Sequence, residues 1–212
     1  IHDSQLLVLN GGQLEPWAED VIADLPTSTT VVEIATGQTD PHIWLSPTLA
    51  QTAVHTITAS FIQADPVHTT EYTSNSQTLI AQLQILDQEY TDGLTHCASR
   101  VFVTSHAAFS YLASDYGLEQ LPIAGLSPDA EPTLDALANI TDFAREHQVQ
   151  YIFFESLVSP KLSETIATEV GAQTLVLNPI EGLTDEEVAA GQDYVTVMQA
   201  NLINLQTALG CT

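Results

Sequence analysis

The stretch YIFFESLVSPKLSETIATEVGAQTLVL, residues 151–177, contains one complete β-α-β unit. Its first four residues, 151–154, form an apolar run rich in aromatic residues that is typical of a buried strand. Ser159-Pro160 then provides a predicted helix N-cap and first-turn proline, and Gly171 is a typical residue for the end of that helix. The run 174–177 is the next predicted strand. A strand, a crossover helix and a second strand in this order predict a parallel pair.

The same alternation of strands and helices continues through the second half of the chain. Short apolar runs at 101–104 and 120–124 are predicted strands, and a single final helix is predicted over about 186–209. Four successive β-α units indicate a parallel sheet covered by helices on both faces.

The first half contains part of a similar unit. Runs 6–9 and 30–33 are predicted strands, Ser46-Pro47 starts a helix, and a long helix follows Pro66 to about residue 92. This last segment has no Gly/Ser-rich tract of the kind that makes a flexible linker, so it is predicted to be rigid.

These elements predict an α/β protein of two lobes, each with a parallel sheet covered by helices. Residues 1–65 are the predicted N-terminal lobe, 66–95 the linking backbone helix, and 96–212 the C-terminal lobe. One β-α unit is expected to be missing in front of Ile1, so the N-terminal lobe is predicted to be incomplete.

The charge balance excludes several classes of partner. Asp and Glu number 27 against three Lys and Arg, for a formal net charge of −24. Nucleic-acid binding depends on basic residues that neutralise phosphates, and anionic membranes attract basic segments, so neither partner is expected. So acidic a surface repels itself less when salt screens it, which suggests a saline habitat. A secreted protein that is merely acidic fits the composition equally well.

The chain has two cysteines, Cys97 and Cys211. A disulfide between them would attach the last helix to the rest of the domain, and an oxidising compartment would permit it. Two unrelated buried thiols are the alternative. Neither cysteine belongs to a CxxC pair, which excludes a cysteine zinc finger.

Three residues that follow predicted strands have the chemistry of metal ligands. His106 comes after the strand 101–104, Glu181 after the strand 174–177, and His42 after the strand 30–33. Ligands of parallel α/β sheets bind beyond the carboxyl ends of the strands, and two imidazoles with one carboxylate suit Zn²⁺. Each residue alone also fits a helix cap, a hydrogen bond to a carbonyl or a solvated side chain.

Five segments resemble the zinc-specific solute-binding proteins of ABC importers, in the order found in that family. They are NGGQLEPW at 10–17, DPHIWLSP at 40–47, TSHAAFSYL at 104–112, GLSPDAEPT at 125–133 and NPIEGLT at 178–184. The resemblance implies two α/β lobes joined by a backbone helix, with the metal bound between the lobes.

The resemblance also implies that His42, His106 and Glu181 are metal ligands. Manganese-selective relatives have Glu at the position of His106 and Asp at that of Glu181, so zinc is expected and Mn²⁺ is disfavoured. The family's first histidine ligand precedes the first strand and is expected upstream of Ile1. Many zinc-type members carry a histidine-rich loop before the DPH segment, and residues 35–39 contain no histidine.

Glu155 follows the strand 151–154 and points to the same sheet edge. It is a candidate hydrogen-bond acceptor for a ligating histidine, which would fix the orientation of that ring. A helix-dipole partner is the alternative role for this carboxylate.

The expected function is therefore capture of zinc outside the cytoplasm, as a monomer, and its delivery to the membrane permease of an ABC importer. A periplasmic or extracellular location follows, with lipid anchoring left open. A zinc hydrolase shares the pattern of three protein ligands and an open position, but the sequence has no HExxH motif or nucleophile elbow, so no enzyme is expected. A metal-binding surface adhesin is a further alternative.

Overall fold

The computed structural model describes residues 3–11, 14–127 and 132–212. Ile1, His2, residues 12–13 of the first family-like segment and residues 128–131 of the fourth lie outside the described residues. The chain divides into two compact units, Ile1–Ile85 and Leu86–Thr212. The boundary between the units falls within one long helix, so the division into 1–65, 66–95 and 96–212 stays a prediction.

The first unit is built on a pair of parallel strands. Strand β1 (Leu6–Leu9) pairs with β2 (Thr30–Glu33) in a register that aligns Leu6 with Thr30, and the short helix α1 (Ala18–Ala23) lies between them in sequence. Helix α2 (Pro47–Ala64) contacts both strands. This is the β-α-β arrangement that the sequence predicts for the first half.

Helix α2 begins where the sequence places its start. The Ser46 hydroxyl accepts a hydrogen bond from the backbone N–H of Leu49 at 3.0 Å, and Pro47 occupies the first turn. Two short 3₁₀ helices, Ile43–Leu45 and Pro66–His68, flank α2, and helix α3 (Thr69–Gly93) follows the second of them. The predicted long helix is therefore present, and it runs from the first unit into the second.

After α3, four strands and five further helices follow in the second unit among the described residues. They are β3 (Val101–Thr104), α4 (Ser110–Asp115), β4 (Glu119–Pro122), α5 (Leu134–Glu146), β5 (Tyr151–Phe154), α6 (Lys161–Val170), β6 (Gln173–Val176), α7 (Asp185–Ala189) and α8 (Tyr194–Leu209). All pairings are parallel, and the strand order is β4-β3-β5-β6. The predicted α/β class, with parallel sheets and a long connecting helix, is confirmed.

Both faces of this sheet carry apolar side chains. Val103 and Ile152 pack with Ile140 of α5 and Ile166 of α6 in one buried cluster. Since neighbouring residues of a strand point to opposite faces, the residues next to them belong to the other face. The two central strands, β3 and β5, therefore need helices on both sides, which explains their almost wholly apolar sequences.

Two sequence predictions about helices in this unit are wrong. Pro160, not Ser159, occupies the N-cap of α6 and makes no side-chain capping hydrogen bond. The predicted single final helix is two helices, because Gly191 adopts a left-handed φ of 72° between α7 and α8. Asp193 then starts α8 in a reciprocal capping box with Thr196.

The two cysteines are joined, as predicted. The Cys97–Cys211 disulfide links residues 114 positions apart in sequence. Beside it, the Ser99 N–H donates to the Leu209 carbonyl at 3.0 Å, and the Thr212 N–H donates to the His96 carbonyl at 3.0 Å. The disulfide and these bonds tie the end of α8 to the segment that leads into β3.

Among the helices of the described ranges, none combines the length and the apolar character needed to span a bilayer.

Candidate metal centre

His42 belongs to the first unit and lies between β2 and α2, with 1% of its surface exposed. Asp40 holds it at two points. One carboxylate oxygen, Oδ1, accepts the backbone N–H of His42 at 3.0 Å and lies 2.7 Å from the ring atom Nδ1. With Nδ1–H donating to Asp40, the imidazole adopts the tautomer that presents a lone pair on Nε2, the form that binds metal.

Asn10 connects the end of β1 to the segment that carries His42. Its side-chain amide donates to the Pro41 carbonyl at 2.9 Å, and its own carbonyl accepts the Ala35 N–H at 2.7 Å. The Glu15 carboxylate accepts the backbone N–H groups of Asn10 and Gly11 at 2.9 and 3.0 Å. Segment 10–17 therefore helps to hold segment 40–47 in place, through the hydrogen bond from Asn10 to Pro41.

His106 belongs to the second unit and is fully buried just beyond the end of β3. Its carbonyl accepts hydrogen bonds from the Thr104 hydroxyl at 2.7 Å and from the Gln120 amide at 2.9 Å. The other end of the Gln120 amide accepts the Phe109 N–H at 3.1 Å. One glutamine on β4 therefore fixes the turn that carries His106.

The ring of His106 lies between two carboxylates. Nδ1 is 2.5 Å from Oε1 of Glu155, and Nε2 is 3.3 Å from Oε1 of Glu181. Glu155 is 3% exposed, and the Ser105 hydroxyl also donates to its Oε1. The buried carboxylate orients the ring, so that Nε2 is directed towards the more accessible carboxylate of Glu181.

These carboxylates change the acidity of the imidazole. Burial alone lowers the pKa of His106, but hydrogen bonds with Glu155 and Glu181 and their negative charges outweigh it and raise the pKa to about 9. The metal-free ring is therefore protonated at neutral pH. A metal cation bound to Nε2 would take the place of the Nε2 proton, which faces Glu181, while the Nδ1 proton stays beside Glu155.

Glu181 follows β6 and is positioned by a strained segment of backbone. Ile180 has a φ of 56°, a value that β-branched residues rarely adopt. The side-chain oxygen of Asn178 accepts the Ile180 N–H at 2.8 Å and supports this conformation. The Glu181 side chain keeps 26% of its accessible surface.

Sequence reasoning placed His106, Glu181 and Glu155 at one edge of the sheet, and the structure brings these three side chains together. It overlooked Asp40 and Ser105. Asp40 stands two residues from a candidate ligand, and a short acidic side chain at that spacing was a signal that could have been used. Ser105 gave no signal of its own, because its partner Glu155 is 50 residues away.

The ligand atoms available at this site suit a metal ion of intermediate softness such as zinc. Imidazole nitrogen and carboxylate oxygen at 3.3 Å, with the second ring nitrogen held by a buried carboxylate, form the carboxylate–histidine arrangement common in zinc sites.

Residues 1–208 match the family described as zinc-uptake complex component A periplasmic, ZnuA. The chain belongs to this family. Its match to the high-affinity zinc uptake system protein ZnuA of Bacillus subtilis (strain 168) is 47% identical over 170 residues. That match covers 80% of this chain and 53% of the relative, so the chain spans about half the length of this curated ZnuA protein.

Solved structures of related proteins have the same fold. The Zn(II)-bound ZnuA-like domain of Streptococcus pneumoniae AdcA is 37% identical, with a TM-score of 0.84, and the match covers 99% of this chain and 81% of that one. The laminin-binding protein Lmb of Streptococcus agalactiae, described as a bifunctional protein with adhesin and metal transporting activity, is 35% identical with a TM-score of 0.88. That match covers 99% of this chain and 82% of Lmb.

Proposed function

We propose that this protein captures zinc outside the cytoplasm and delivers it to the membrane permease of an ABC importer. The observation that carries the proposal is the buried imidazole of His106, with Nδ1 2.5 Å from Glu155 and Nε2 3.3 Å from Glu181. Membership of the zinc-uptake family and likeness to a Zn(II)-bound domain support zinc as the cargo.

His42, His106 and Glu181 are the proposed ligands. The two histidines share one feature within their separate units: each has Nδ1 beside a carboxylate, that of Asp40 or that of Glu155. In both rings this leaves Nε2 as the metal-binding atom. A set of two imidazoles and one carboxylate favours Zn²⁺ over Mn²⁺, which prefers more oxygen ligands.

The proposal is of a binding protein, not of an enzyme. A hydrolase at this site would need a general base or nucleophile directed at the metal-bound water. The hydroxyl next to His106 in sequence, that of Ser105, instead donates to Glu155. Glu155 itself is engaged with two donors, His106 and Ser105, in a structural role.

The proposed location is the periplasm or the outer cell surface, with lipid attachment as in relatives named lipoproteins. The Cys97–Cys211 disulfide is consistent with this location, because such bonds persist in oxidising compartments. The protein is proposed to work as a monomer, with the zinc ion and the permease as its partners.

An adhesin activity is a second candidate, supported by the likeness to Lmb. Binding of this chain to immobilised laminin, with and without zinc, separates this candidate from transport alone.

Calorimetric titration with Zn²⁺ tests the proposal. We expect His42→Ala, His106→Ala and Glu181→Ala each to weaken binding by at least about tenfold, the lower end of what loss of ligand-site groups produces. His55→Ala, in the exposed part of α2, is the matched control and should bind like the unmodified chain. Unchanged affinity in all three ligand variants would show that zinc binds elsewhere.

A further inference from the structure

The outer edge of β6 is completed by side chains of a helix. β6 is the last strand in the sheet order. The Gln173 N–H donates to the Gln150 carbonyl just before β5, and the Leu177 N–H donates to the Phe154 carbonyl at the end of β5. The backbone N–H and C=O groups of residues 174, 176 and 178 therefore point away from β5. Two asparagines of α8, Asn201 and Asn204, stand on that side. They bind the backbone groups that a further strand would otherwise bind.

Asn204 and Asn201 have different partners along this edge. The Asn204 amide donates to the Val176 carbonyl at 2.8 Å. Asn201 makes two bonds, since its oxygen accepts the Asn178 N–H at 2.8 Å and its nitrogen donates to the Asn178 carbonyl at 2.7 Å. An amide side chain carries a donor and an acceptor at the spacing of a peptide group, so it can bind both backbone groups of one residue.

Asn178 connects Asn201 to the segment that carries Glu181. Its side-chain oxygen accepts the Ile180 N–H at 2.8 Å, at the residue whose φ is 56°. Its side-chain nitrogen donates to the Ser156 hydroxyl at 3.0 Å and to Glu187 at 3.1 Å. Every polar group of Asn178 is therefore bound, and the next residue after the strained Ile180 is Glu181.

We propose that Asn201 is a positioning residue for the zinc ligand Glu181, acting through Asn178 and the left-handed backbone of Ile180. The inference rests on the proposed zinc-binding function and adds to it the device that sets the place of one ligand. Strained backbone persists only where surrounding contacts determine it. Here those contacts are the Asn201–Asn178 pair and the Asn178–Ile180 bond.

The burial of Asn201 supports a specific role. It is 2% exposed in the middle of α8, where apolar residues such as Leu202 and Leu205 form the core. An amide there is less favourable for the helix than leucine and tolerable only when its hydrogen bonds are made. Asn204 provides the matched comparison, because it lies one turn away and binds a strand carbonyl that precedes the ligand segment.

The experiment measures Zn²⁺ affinity by calorimetry for Asn201→Ala and Asn204→Ala, each also combined with Glu181→Ala. We expect Asn201→Ala to weaken binding by about 10- to 100-fold, the range found for groups that orient metal ligands, and Asn204→Ala to have a much smaller effect. In the Glu181→Ala background, Asn201→Ala should have no further effect, because the ligand through which it acts is absent.

Each contrary result has a distinct meaning. Unchanged affinity in Asn201→Ala, or an equal loss with and without Glu181, overturns the positioning role alone. Unchanged affinity in Glu181→Ala overturns both the ligand assignment and the positioning role. Absence of zinc binding by the unmodified chain overturns the proposed function itself.

A second pair of variants serves if the alanine variants fail to fold. Asn201→Ser and Asn204→Ser keep a small hydrogen-bonding group at each position, and we again expect the Asn201 variant to bind zinc more weakly than the Asn204 variant. The absorption spectrum of the Co²⁺-loaded protein is a separate readout. It should change in the Asn201 variant as it does in Glu181→Ala and stay unchanged in the Asn204 variant; identical spectra for both asparagine variants would contradict the inference.

Discussion

The Nδ1 atom of His106 lies 2.5 Å from Oε1 of Glu155, at the ends of neighbouring parallel strands. Ser105 donates to the same oxygen, so one buried carboxylate fixes both the ring and the residue before it. This makes His106 a preorganised ligand, since its ring orientation is set before a metal binds and Nε2 is the ring atom that can exchange its proton for the metal.

Removing the charge of Glu155 should weaken zinc binding while the fold persists. We expect Glu155→Gln to lower the affinity by about 10- to 100-fold, because an amide holds the His106 ring less strongly and does not raise the basicity of Nε2. Calorimetry measures the change. Glu164→Gln, on the exposed side of α6, is the control, and equal affinities for the two variants would contradict the role of Glu155.

The raised pKa of His106, about 9, predicts that zinc displaces a proton. Between pH 6.5 and 9 the metal-free ring is protonated, so affinity should rise by roughly tenfold per pH unit and level off above about 9. Calorimetry in buffers of different ionisation enthalpy counts the protons released at pH 7.5. If neither the unmodified chain nor His106→Ala releases a proton on binding zinc at this pH, the His106 ring is neutral before zinc binds and the prediction is wrong.

The same shift predicts how the metal-free protein responds to pH. The pKa of His106 is higher in the folded state than the ordinary histidine value of 6.5, so folding favours the protonated form. Its contribution to stability is fully present below pH 6.5 and is lost as pH rises through about 9. Thermal melts of the metal-free chain should show this loss, and His106→Gln should remove it.

Breaking the disulfide should destabilise the second unit. The Cys97–Cys211 bond closes a loop of 114 residues, and the chain-entropy account gives up to ~4.7 kcal/mol for a loop of about 100 residues. Urea unfolding of the double variant Cys97→Ser with Cys211→Ser measures the change in the free energy of unfolding. The unmodified chain in reducing agent should match the double variant, and unchanged unfolding midpoints would refute the prediction.

Salt should stabilise this protein strongly. The net charge is −24, and two of its three basic side chains are already engaged, Arg100 with backbone carbonyls and Arg145 with Glu169. Added NaCl screens the repulsion between the remaining acidic groups, so the melting temperature should rise from low to molar salt. Sucrose of equal osmolality is the uncharged control, and equal rises in both solutes would exclude charge screening.

Several features of the fold and site could be read from local sequence. The strands 101–104 and 151–154 are apolar because helices cover both faces of their sheet, and that pattern is visible residue by residue. His106, Glu155 and Glu181 follow strands of one parallel sheet, and strand direction alone brings such positions to one edge. The break between α7 and α8 is also marked locally, by Gly191 and the Asp193 cap, although the apolar pattern alone predicts one continuous helix.

What the sequence by itself determined was therefore the α/β class, the order of the elements and the chemistry of the ligand candidates. Only the tertiary structure decided which groups hold those candidates in place. The Ser105 hydroxyl donates a hydrogen bond to Glu155, and the Asn201 side chain accepts one from the Asn178 N–H. The physical reason is that periodicity and strand direction are properties of neighbouring residues. A hydrogen bond between residues 23 or 50 positions apart depends on how separate elements pack, which no local pattern encodes.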